Sequence, residues 1–429
     1  MPSSPESEAS VTASRPSAPT GFRRVIEALG ANPYYRTYWF GNQASTLMFQ
    51  MQMVAQGYLA YQLTGSAAAL GVVGLASGLP QFLLSPISGV IADRYAKRNL
   101  LLIVQGILCL SSLIIGVLIG LGLIQYWHLV VAGAVQGTCV SVNMPTRQSW
   151  IPSLVKRDDL ANAIALNNAG LNASQVLGPA IAGLLIAVPW VGVNGIYYLR
   201  VAAFGWVLYS LLQIPILGKP AEGQRRGTLI DEATAGMRYV LKSEVLVPLF
   251  TLALVTLLLG QAYQPLMPAV ALGALGVGSE GLGLMMTAVG SGALVGSLSM
   301  AYLSGSRRKG RIQAIAGITL GLGLTCFGLF SGLRVFGLVL ASLVVVGGSM
   351  SFYGTINNTL ILANTDRALQ GRVMSLYMMT WSLAPLSSAP FGVLMDNIGE
   401  PATMMIIGIT LATCVVAVSR LHPGYRRLT

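Results

Sequence analysis

Long apolar runs separated by short polar segments make up most of the chain. Each run is about 20 residues long, the length that an α-helix needs to cross the roughly 30 Å hydrocarbon layer of a membrane. The runs are continuous, whereas a strand of a membrane barrel would alternate between apolar and polar residues. The pattern predicts an all-α membrane protein with twelve spanning helices. The predicted spans 1 to 12 are 37–61, 68–91, 99–122, 127–149, 166–188, 194–217, 245–272, 280–303, 312–332, 335–362, 371–395 and 401–420.

The twelve runs form two similar halves. Span 5 contains SQVLGPAIAGLL and span 11 contains LSSAPFGVLM, so Pro179 and Pro390 occupy corresponding positions. We therefore expect two pseudo-symmetric six-helix bundles, joined by a polar linker whose centre, IDEATAGMRYVLKS, has the spacing of an amphipathic helix at a membrane surface. The N-terminal tail is rich in Ser, Pro and Ala, which predicts disorder. The expected units are a tail at 1–34, bundles at 35–217 and 245–420, the linker at 218–244, and a second tail at 421–429.

The composition excludes a soluble enzyme. Only 9% of the 429 residues are charged, 54% are hydrophobic, and the mean hydropathy is +0.68. A soluble protein covers its surface with about 25% charged residues. The lipid bilayer is the solvent that suits this chain.

The net charge of +12 comes from short Lys and Arg clusters in the loops after spans 2, 4, 6, 8 and 10. These loops and both termini share one side of the membrane, and Arg200 and Arg334 are the exceptions. By the positive-inside rule this side is cytoplasmic, which predicts a multi-pass protein of a bacterial-type cell membrane. Because the cations follow the topology and are not interleaved with aromatics on a polar surface, we expect no nucleic-acid partner.

The loop after span 2 contains the segment GVIADRYAKRN. It resembles the signature of the major facilitator superfamily, G-x-L-a-D-r-x-G-r-k, with Ala96 where the family commonly has Gly. The resemblance extends over residues 35–420 and implies a transporter of two six-helix bundles. The matching residues are Gly89, Asp93, Arg94, Lys97 and Arg98.

Asp93 is an acid at a helix end among three cations, so it can pair with them or with an exposed helix N-terminus. The resemblance implies that it clasps the two bundles together on the cytoplasmic side, near Gly371 and Arg372 at the start of span 11, and stabilises the outward-open state. Gly89 would let span 2 approach a neighbouring helix closely. The alternative is that the cations of this loop only enforce the topology.

Span 5 contains GLNASQVLGPAIAG, which resembles the antiporter motif of the superfamily with Ala182 in place of one glycine. The motif accompanies exporters. Proline removes a backbone donor and kinks a helix, so a simple packing kink is the alternative. The matching residues are Gly170, Gly178, Pro179 and Gly183.

Two further segments, MPTRQSWIPSLVKRDDLANAIAL after span 4 and LQGRVMSLYMM before span 11, resemble one branch of the superfamily. This branch contains the enterobactin exporter and macrolide efflux proteins, which are drug:proton antiporters. The resemblance implies export of a hydrophobic or amphipathic small molecule by alternating access, with protons as the coupling ion. An uptake carrier or lipid flippase of the same fold is the alternative, and a non-transporting scaffold or receptor is more remote. A monomer is expected.

In transporters of this superfamily spans 1, 4, 7 and 10 line a central cavity, flanked by spans 2, 5, 8 and 11. Span 1 carries Asn42, Thr46 and Gln50 on one helical face. An amide facing lipid is costly, so this face must meet protein or water, and hydrogen bonding between helices is the alternative for each residue. The candidate cavity residues are Asn42, Thr46, Gln50, Gln136, Asn143, Tyr263, Gln264, Tyr353, Asn357 and Trp381.

These residues include no charge, which favours a neutral or amphipathic substrate. Arg200 is the only cation placed deep in a predicted span, and we expect it to reach the outer surface. No acid lies deep in a span, so the sequence identifies no proton carrier. The four cysteines lack metal-ligand spacing, and His128 and His422 have no partner motif. We expect no catalytic residue, no metal and no cofactor.

Overall fold

The computed structural model describes residues 30, 32–156, 159–218, 229–303, 308–367, 369–381 and 383–426. Most of the predicted N-terminal tail lies outside this part of the chain. Within it, regular structure consists of helices and includes no strand. The first bundle contains α1 Pro33–Thr64, α2 Ala67–Arg94, α3 Lys97–Gly120, α4 Tyr126–Leu154, α5 Leu160–Ala187 and α6 Gly192–Leu212.

Helix α7, Leu229–Lys242, lies in the linker. The second bundle contains α8 Leu246–Gly260, α9 Tyr263–Ala269, a π-helical turn Val270–Ala274, α10 Gly278–Leu303, α11 Lys309–Gly332, α12 Phe336–Ala363, α13 Gln370–Trp381, a 3-10 turn Ala384–Ser387, α14 Ser388–Ile398 and α15 Glu400–Leu421. A short helix, α16 Pro423–Arg426, follows.

The helices occupy all twelve predicted spans, so the predicted fold class is confirmed. Span 7 comprises α8, α9 and the π-helical turn, and span 11 comprises α13, the 3-10 turn and α14. Both interrupted spans contain prolines, Pro265 and Pro268 in span 7 and Pro385 and Pro390 in span 11. A proline removes a backbone donor and clashes with the preceding turn, which explains the breaks.

Among the described residues, nine segments are long and apolar enough to cross a membrane by length and composition alone. The three spans that fall short are α1, α4 and span 11. Because their polar side chains are costly in contact with lipid, these spans are the ones expected to turn toward protein or water.

Basic residues mark one end of the two bundles. The loops after α2, α4, α10 and α12 share one side of the molecule, which we call the basic face because it carries Arg94, Lys156, Arg308 and Arg372. The other side is called the opposite face. There the bundles meet along two seams, one between α5 and α10 and one between α2 and span 11.

The α5–α10 seam is built on two glycines. A Cβ at Gly183 would lie 2.5 Å from the Cα of Gly283, and a Cβ at Gly283 would lie 2.8 Å from the Cα of Gly183. Gly183 is four residues from the end of α5 and Gly283 five residues from the start of α10, so the contact lies near the opposite face. Only glycines allow the two backbones to approach this closely.

The α2–α14 seam ends in a charged cap. The carboxylate of Asp396, near the end of α14, accepts hydrogen bonds from Ser66 Oγ at 2.5 Å, Ala67 N at 2.7 Å and Ala68 N at 3.0 Å. These amides belong to the first turn of α2 and have no partner within the helix. A carboxylate at a helix N-terminus is favourable, so the contact holds the two bundles together at the opposite face.

A third contact lies beside this cap. A Cβ at Gly273, in the π-helical turn, would lie 2.5 Å from both Tyr61 Oη, near the end of α1, and Glu400 Oε1, at the start of α15. The opposite face is therefore closed by contacts from several helices of both bundles. A cavity lies between the two bundles on the side of these contacts that faces the basic face.

Candidate functional site

A cavity of about 590 Å³ lies between the two bundles. Its walls come from α1 and α5 of the first bundle and from span 7, α10, α12 and α13 of the second. Ser297 and Thr355 in its wall lie about two turns from the basic-face ends of α10 and α12. Small-molecule sites commonly have volumes of about 300–1,000 Å³, so the cavity is large enough for one such molecule.

The cavity wall combines neutral polar and soft apolar side chains and includes no charged residue among those described. The amides can donate and accept hydrogen bonds, and methionines adapt to irregular apolar shapes. This chemistry suits an uncharged amphipathic ligand. The wall contains the amides Gln50, Asn172, Gln175, Gln261, Gln264 and Asn358, the methionines Met53, Met267, Met286, Met350 and Met378, and the aromatics Tyr263, Tyr377 and Trp381.

The structure places four of the predicted cavity residues in this wall: Gln50, Tyr263, Gln264 and Trp381. Gln136 lines a smaller adjoining chamber. The other five predicted residues lie within the bundles and away from the cavity wall. These are Asn42, Thr46, Asn143, Tyr353 and Asn357.

In the first bundle, two of those amides surround a guanidinium that the sequence reasoning missed. Arg147 Nε donates to Asn143 Oδ1 at 2.7 Å and its Nη2 donates to Ser45 Oγ at 3.1 Å. Its Nη1 also bonds to Asn42 Oδ1, and Asn42 Nδ2 donates to Asn167 Oδ1 at 2.7 Å. The network ties α1, α4 and α5 together. Among the described residues no Asp or Glu pairs with Arg147.

The predicted span 4 ends at residue 149, two residues after Arg147, which places this arginine at the cytoplasmic end of the span. Helix α4 continues to Leu154, so Arg147 lies two turns inside it. The sequence from His128 to Thr146 contains no Asp, Glu, Lys or Arg and continues directly into RQSW, which is the signal that Arg147 lies inside the helix and is partly buried.

The second bundle uses its amides in a similar way. Gln313 Nε2 donates to Asn357 Oδ1 at 2.7 Å, and the hydroxyl of Tyr425 contacts Gln313 Oε1 at 3.2 Å. Asn357 is fully buried and Tyr353 nearly so. Gln313, Asn357 and Tyr425 connect α11, α12 and α16. Asn357 Nδ2 and the Tyr353 hydroxyl have no hydrogen-bond partner among the described residues.

Arg200 does not reach the outer surface, so that expectation is wrong. Its side chain is only 2% exposed and its Cζ lies 4.9 Å from the ring centroid of Phe204, one turn along α6. Its Nε and Nη2 have no hydrogen-bond partner among the described residues. The Phe204 ring supplies a cation–π contact, which explains how the guanidinium lies toward the bundle interior.

The four residues of the antiporter-like motif of α5 lie in three different environments. Cβ atoms at Gly170 and Gly178 would overlap Gln43 and Gln50 of α1, so these two glycines serve packing inside the first bundle. Pro179 lines the cavity, and Gly183 forms the α5–α10 seam. The motif therefore connects the cavity wall to the contact between the bundles.

The signature residues of the loop after α2 lie at the basic face. Asp93, Arg94, Gly371 and Arg372 are exposed. Lys97 Nζ donates to the carbonyl of Gly218 at 3.2 Å and Arg98 Nη1 to that of Ile214 at 3.0 Å, which ties the start of α3 to the end of α6.

Gly89 does not mediate a close approach in this structure, contrary to the sequence prediction. A Cβ at Gly89 would meet no atom of the described residues within 4 Å, and the same holds for Gly371. The close approaches of α2 lie near its other end, where a Cβ at Gly71 would be 2.6 Å from the Cα of Ala389. Helix α2 makes its close approach to span 11 at the opposite face, which is closed in this structure, whereas Gly89 lies near the basic face.

Comparison with known proteins gives a consistent result. A family model described as "transmembrane secretion effector" matches residues 29–424. The enterobactin exporter EntS of Shigella boydii serotype 18 is 26% identical over 417 residues, covering 92% of this chain and 95% of that protein. The enterobactin exporter EntS of Citrobacter koseri is 25% identical over 360 residues, covering 82% of each chain.

Solved structures of transporters share the fold. A POT family transporter in complex with 5-aminolevulinic acid has a TM-score of 0.72 and 13% identity, covering 92% of this chain and 97% of that one. The D-xylose-proton symporter has a TM-score of 0.68 and 14% identity, with coverage of 92% and 99%. The nucleoside transporter NupG has a TM-score of 0.66 and 12% identity, with coverage of 90% and 99%.

Proposed function

Because the chain belongs to the transmembrane secretion effector family of the major facilitator superfamily, we propose that it exports a neutral, amphipathic small molecule. Membership in the superfamily was predicted from the sequence and is confirmed. The protein is a multi-pass membrane transporter and not an enzyme. The proposal adds the direction of transport, the class of cargo and the coupling.

The proposed class of cargo is inferred from the uncharged wall of the cavity. Its wall offers amides, methionines and aromatics, and no charged side chain among the described residues. An anionic cargo would leave its charge unpaired in a medium of low dielectric, as would a cationic one. The relatives named as enterobactin exporters support a siderophore-like metabolite as one candidate cargo.

Alternating access is supported by the uneven contact between the bundles. The opposite face is closed by the Gly183–Gly283 approach and the Asp396 cap, while the cavity extends toward the basic face. In our proposal the basic face is cytoplasmic, with both termini on that side, so cargo enters the cavity from the cytoplasm. The bundles then rock about the midplane, parting the two seams and releasing cargo outward.

Proton antiport is the proposed energy source. It is supported by the antiporter-like motif of α5 and by the superfamily resemblance. No Asp or Glu lines the cavity among the described residues, and the described acids lie near the two membrane faces or in the linker. Asp93, the acid of the signature segment near the end of α2, is the first acid to test.

A growth-inhibition panel tests the proposed function. Cells that express the protein should tolerate at least one neutral amphipathic compound better than cells without it, and they should accumulate less of that compound. Reduced tolerance together with higher accumulation would indicate an uptake carrier instead. Equal accumulation across a broad panel would favour a scaffold or receptor.

Replacing Asp93 by Asn should reduce transport at least about ten-fold, which corresponds to roughly 1.4 kcal/mol, while membrane insertion stays normal. The reason is that the proposed clasp between the bundles requires a carboxylate facing the start of α13. The measurement is export of a compound from the panel, normalised to the amount of protein in the membrane. Asp366→Asn, another exposed acid on the basic face, is the control and should transport normally. Unchanged export by Asp93→Asn at equal expression would reject the clasp.

A further inference from the structure

A second chamber of about 180 Å³ adjoins the main cavity. Met53, Gln264 and Met286 line both spaces, so these three side chains lie where the chamber and the cavity adjoin. Its walls come from α1, α2 and α4 of the first bundle and from span 7, α10 and span 11 of the second. It lies on the side of the cavity that faces the two seams.

The chamber has a different chemistry from the main cavity. Nine of its seventeen lining residues have apolar side chains, including Phe49, Leu70, Val73 and Val140, whereas five have polar side chains, namely Gln56, Ser77, Gln81, Gln136 and Gln264. Of the four amides, Gln56 already donates to the carbonyl of Leu129 at 3.0 Å and accepts from Gln52 at 2.9 Å. The space therefore favours an apolar group over a polar one.

Tight contacts between the bundles border the chamber toward the opposite face. A Cβ at Gly57 would lie 3.1 Å from Pro268, and one at Gly74 would overlap Ser388. Gly57, Gly74 and Pro268 all line the chamber. These contacts separate the chamber from the opposite face in this conformation.

The volume matches one six-membered ring. An apolar protein cavity of about 150 Å³ is known to bind benzene and to stay dry otherwise. Methionine sulfur makes favourable contacts with the edges of aromatic rings, and Met53 and Met286 lie where the chamber and the cavity adjoin. A flexible alkyl chain would lose more conformational entropy in so small a space than a rigid ring.

We propose that this chamber is a subsite for one aromatic ring of the cargo, while the amide-lined main cavity holds its polar body. The inference rests on the proposed function and narrows the cargo to molecules that carry at least one unsubstituted or lightly substituted ring. Both bundles contribute to the chamber walls. When the seams part, the chamber opens toward the opposite face and releases the ring there.

The test uses two neutral amides that differ in the ring, N-benzylacetamide and N-methylacetamide, with purified full-length protein in lipid nanodiscs. Ligand-observed NMR gives the two dissociation constants. Wild type should bind the benzyl compound at least about ten-fold more tightly, because burial of a phenyl ring contributes that much or more. Val140→Phe, which fills the chamber from α4, should reduce the ratio to about three-fold or less. Val73→Phe fills the chamber from α2 and should reduce the ratio to the same extent. Agreement between the two variants shows that the effect does not come from a folding defect of one of them.

Val131→Phe is the matched control, since Val131 lies on the same helix and is 52% exposed, facing away from the chamber. Val131→Phe should keep the wild-type ratio of the two dissociation constants. It also corrects for partition of the ring into the lipid of the nanodisc. A wild type without preference, or chamber variants that keep the preference, would overturn the subsite. A protein that shows the preference but exports nothing from the growth panel would instead overturn the proposed function, so the two failures are distinguishable.

Discussion

Replacing Gly183 by Val should abolish transport and hold the molecule open at the opposite face. A Cβ at this position would lie 2.5 Å from Gly283 Cα and 2.8 Å from Ser279 O, both backbone atoms of the other bundle. Backbone cannot move aside as a flexible side chain can, and overpacking of this kind costs about 1–3 kcal/mol or more. Since transport requires the closed arrangement once per cycle, we expect a loss of at least about ten-fold.

Gly205→Val is the matched control for this prediction. Gly205 lies in α6, and a Cβ there would meet no atom within 4 Å in the part of the chain that the structure describes. Both variants carry the same helix-propensity cost, so only the contact with α10 differs. Spin labels placed at the opposite-face ends of α5 and α10, in a protein lacking its four cysteines, report the distance between the bundles. Normal transport by Gly183→Val, or an unchanged distance distribution, would contradict the account of this seam.

Replacing Asp396 by Asn should shift the protein toward the conformation open at the opposite face. The carboxylate accepts three hydrogen bonds from the start of α2, and a neutral amide can satisfy those donors only in part. Hydrogen bonds to a charged group contribute roughly 1.5–3 kcal/mol each, but Asp396 is exposed, so solvent screening reduces the effect. We expect the closed-to-open ratio to fall by about three- to ten-fold, with transport slowed and not abolished.

Asn397→Ala provides the comparison for Asp396→Asn. Asn397 is the next residue of α14, and its amide donates to the carbonyl of Val393 in the same helix at 2.7 Å. It should leave the ratio unchanged. The same spin-label approach, with labels at the start of α2 and the end of α14, measures both variants. If Asp396→Asn matches wild type, the cap does not stabilise the closed face.

Asp396 and Asp93 occupy related places, and only one of them was identified from the sequence. Asp93 lies near the end of α2 at the basic face and belongs to a recognisable signature, whereas Asp396 lies near the end of α14 at the opposite face and belongs to none. Its importance comes from a helix start more than 300 residues away along the chain. No local pattern encodes such a contact.

Hydropathy and loop charge sufficed to predict the twelve spans, because each run is long and each even-numbered loop is basic. The same reasoning could not assign individual amides. Gln50 and Asn42 lie on one face of α1, yet Gln50 lines the cavity and Asn42 solvates Arg147. The difference depends on which neighbour each turn of α1 meets, and that depends on the packing of α4 and α5.

Arg200 illustrates the same limit. From the sequence, an arginine about two turns inside a span is expected to extend toward water. In the structure Phe204 and the surrounding helices enclose it. A spacing of four residues between Arg and Phe is common in helices and does not by itself indicate burial.

Direction of transport is the most direct test of the central claim. Inside-out and right-side-out membrane vesicles are prepared from cells expressing wild type or Gly183→Val, and each is loaded with a proton gradient. A neutral amphipathic compound taken from the growth panel is then followed by mass spectrometry. Our account predicts accumulation in inside-out vesicles with an acidic interior, loss of that accumulation when an ionophore collapses the gradient, and none with Gly183→Val. Accumulation by right-side-out vesicles alone would contradict export.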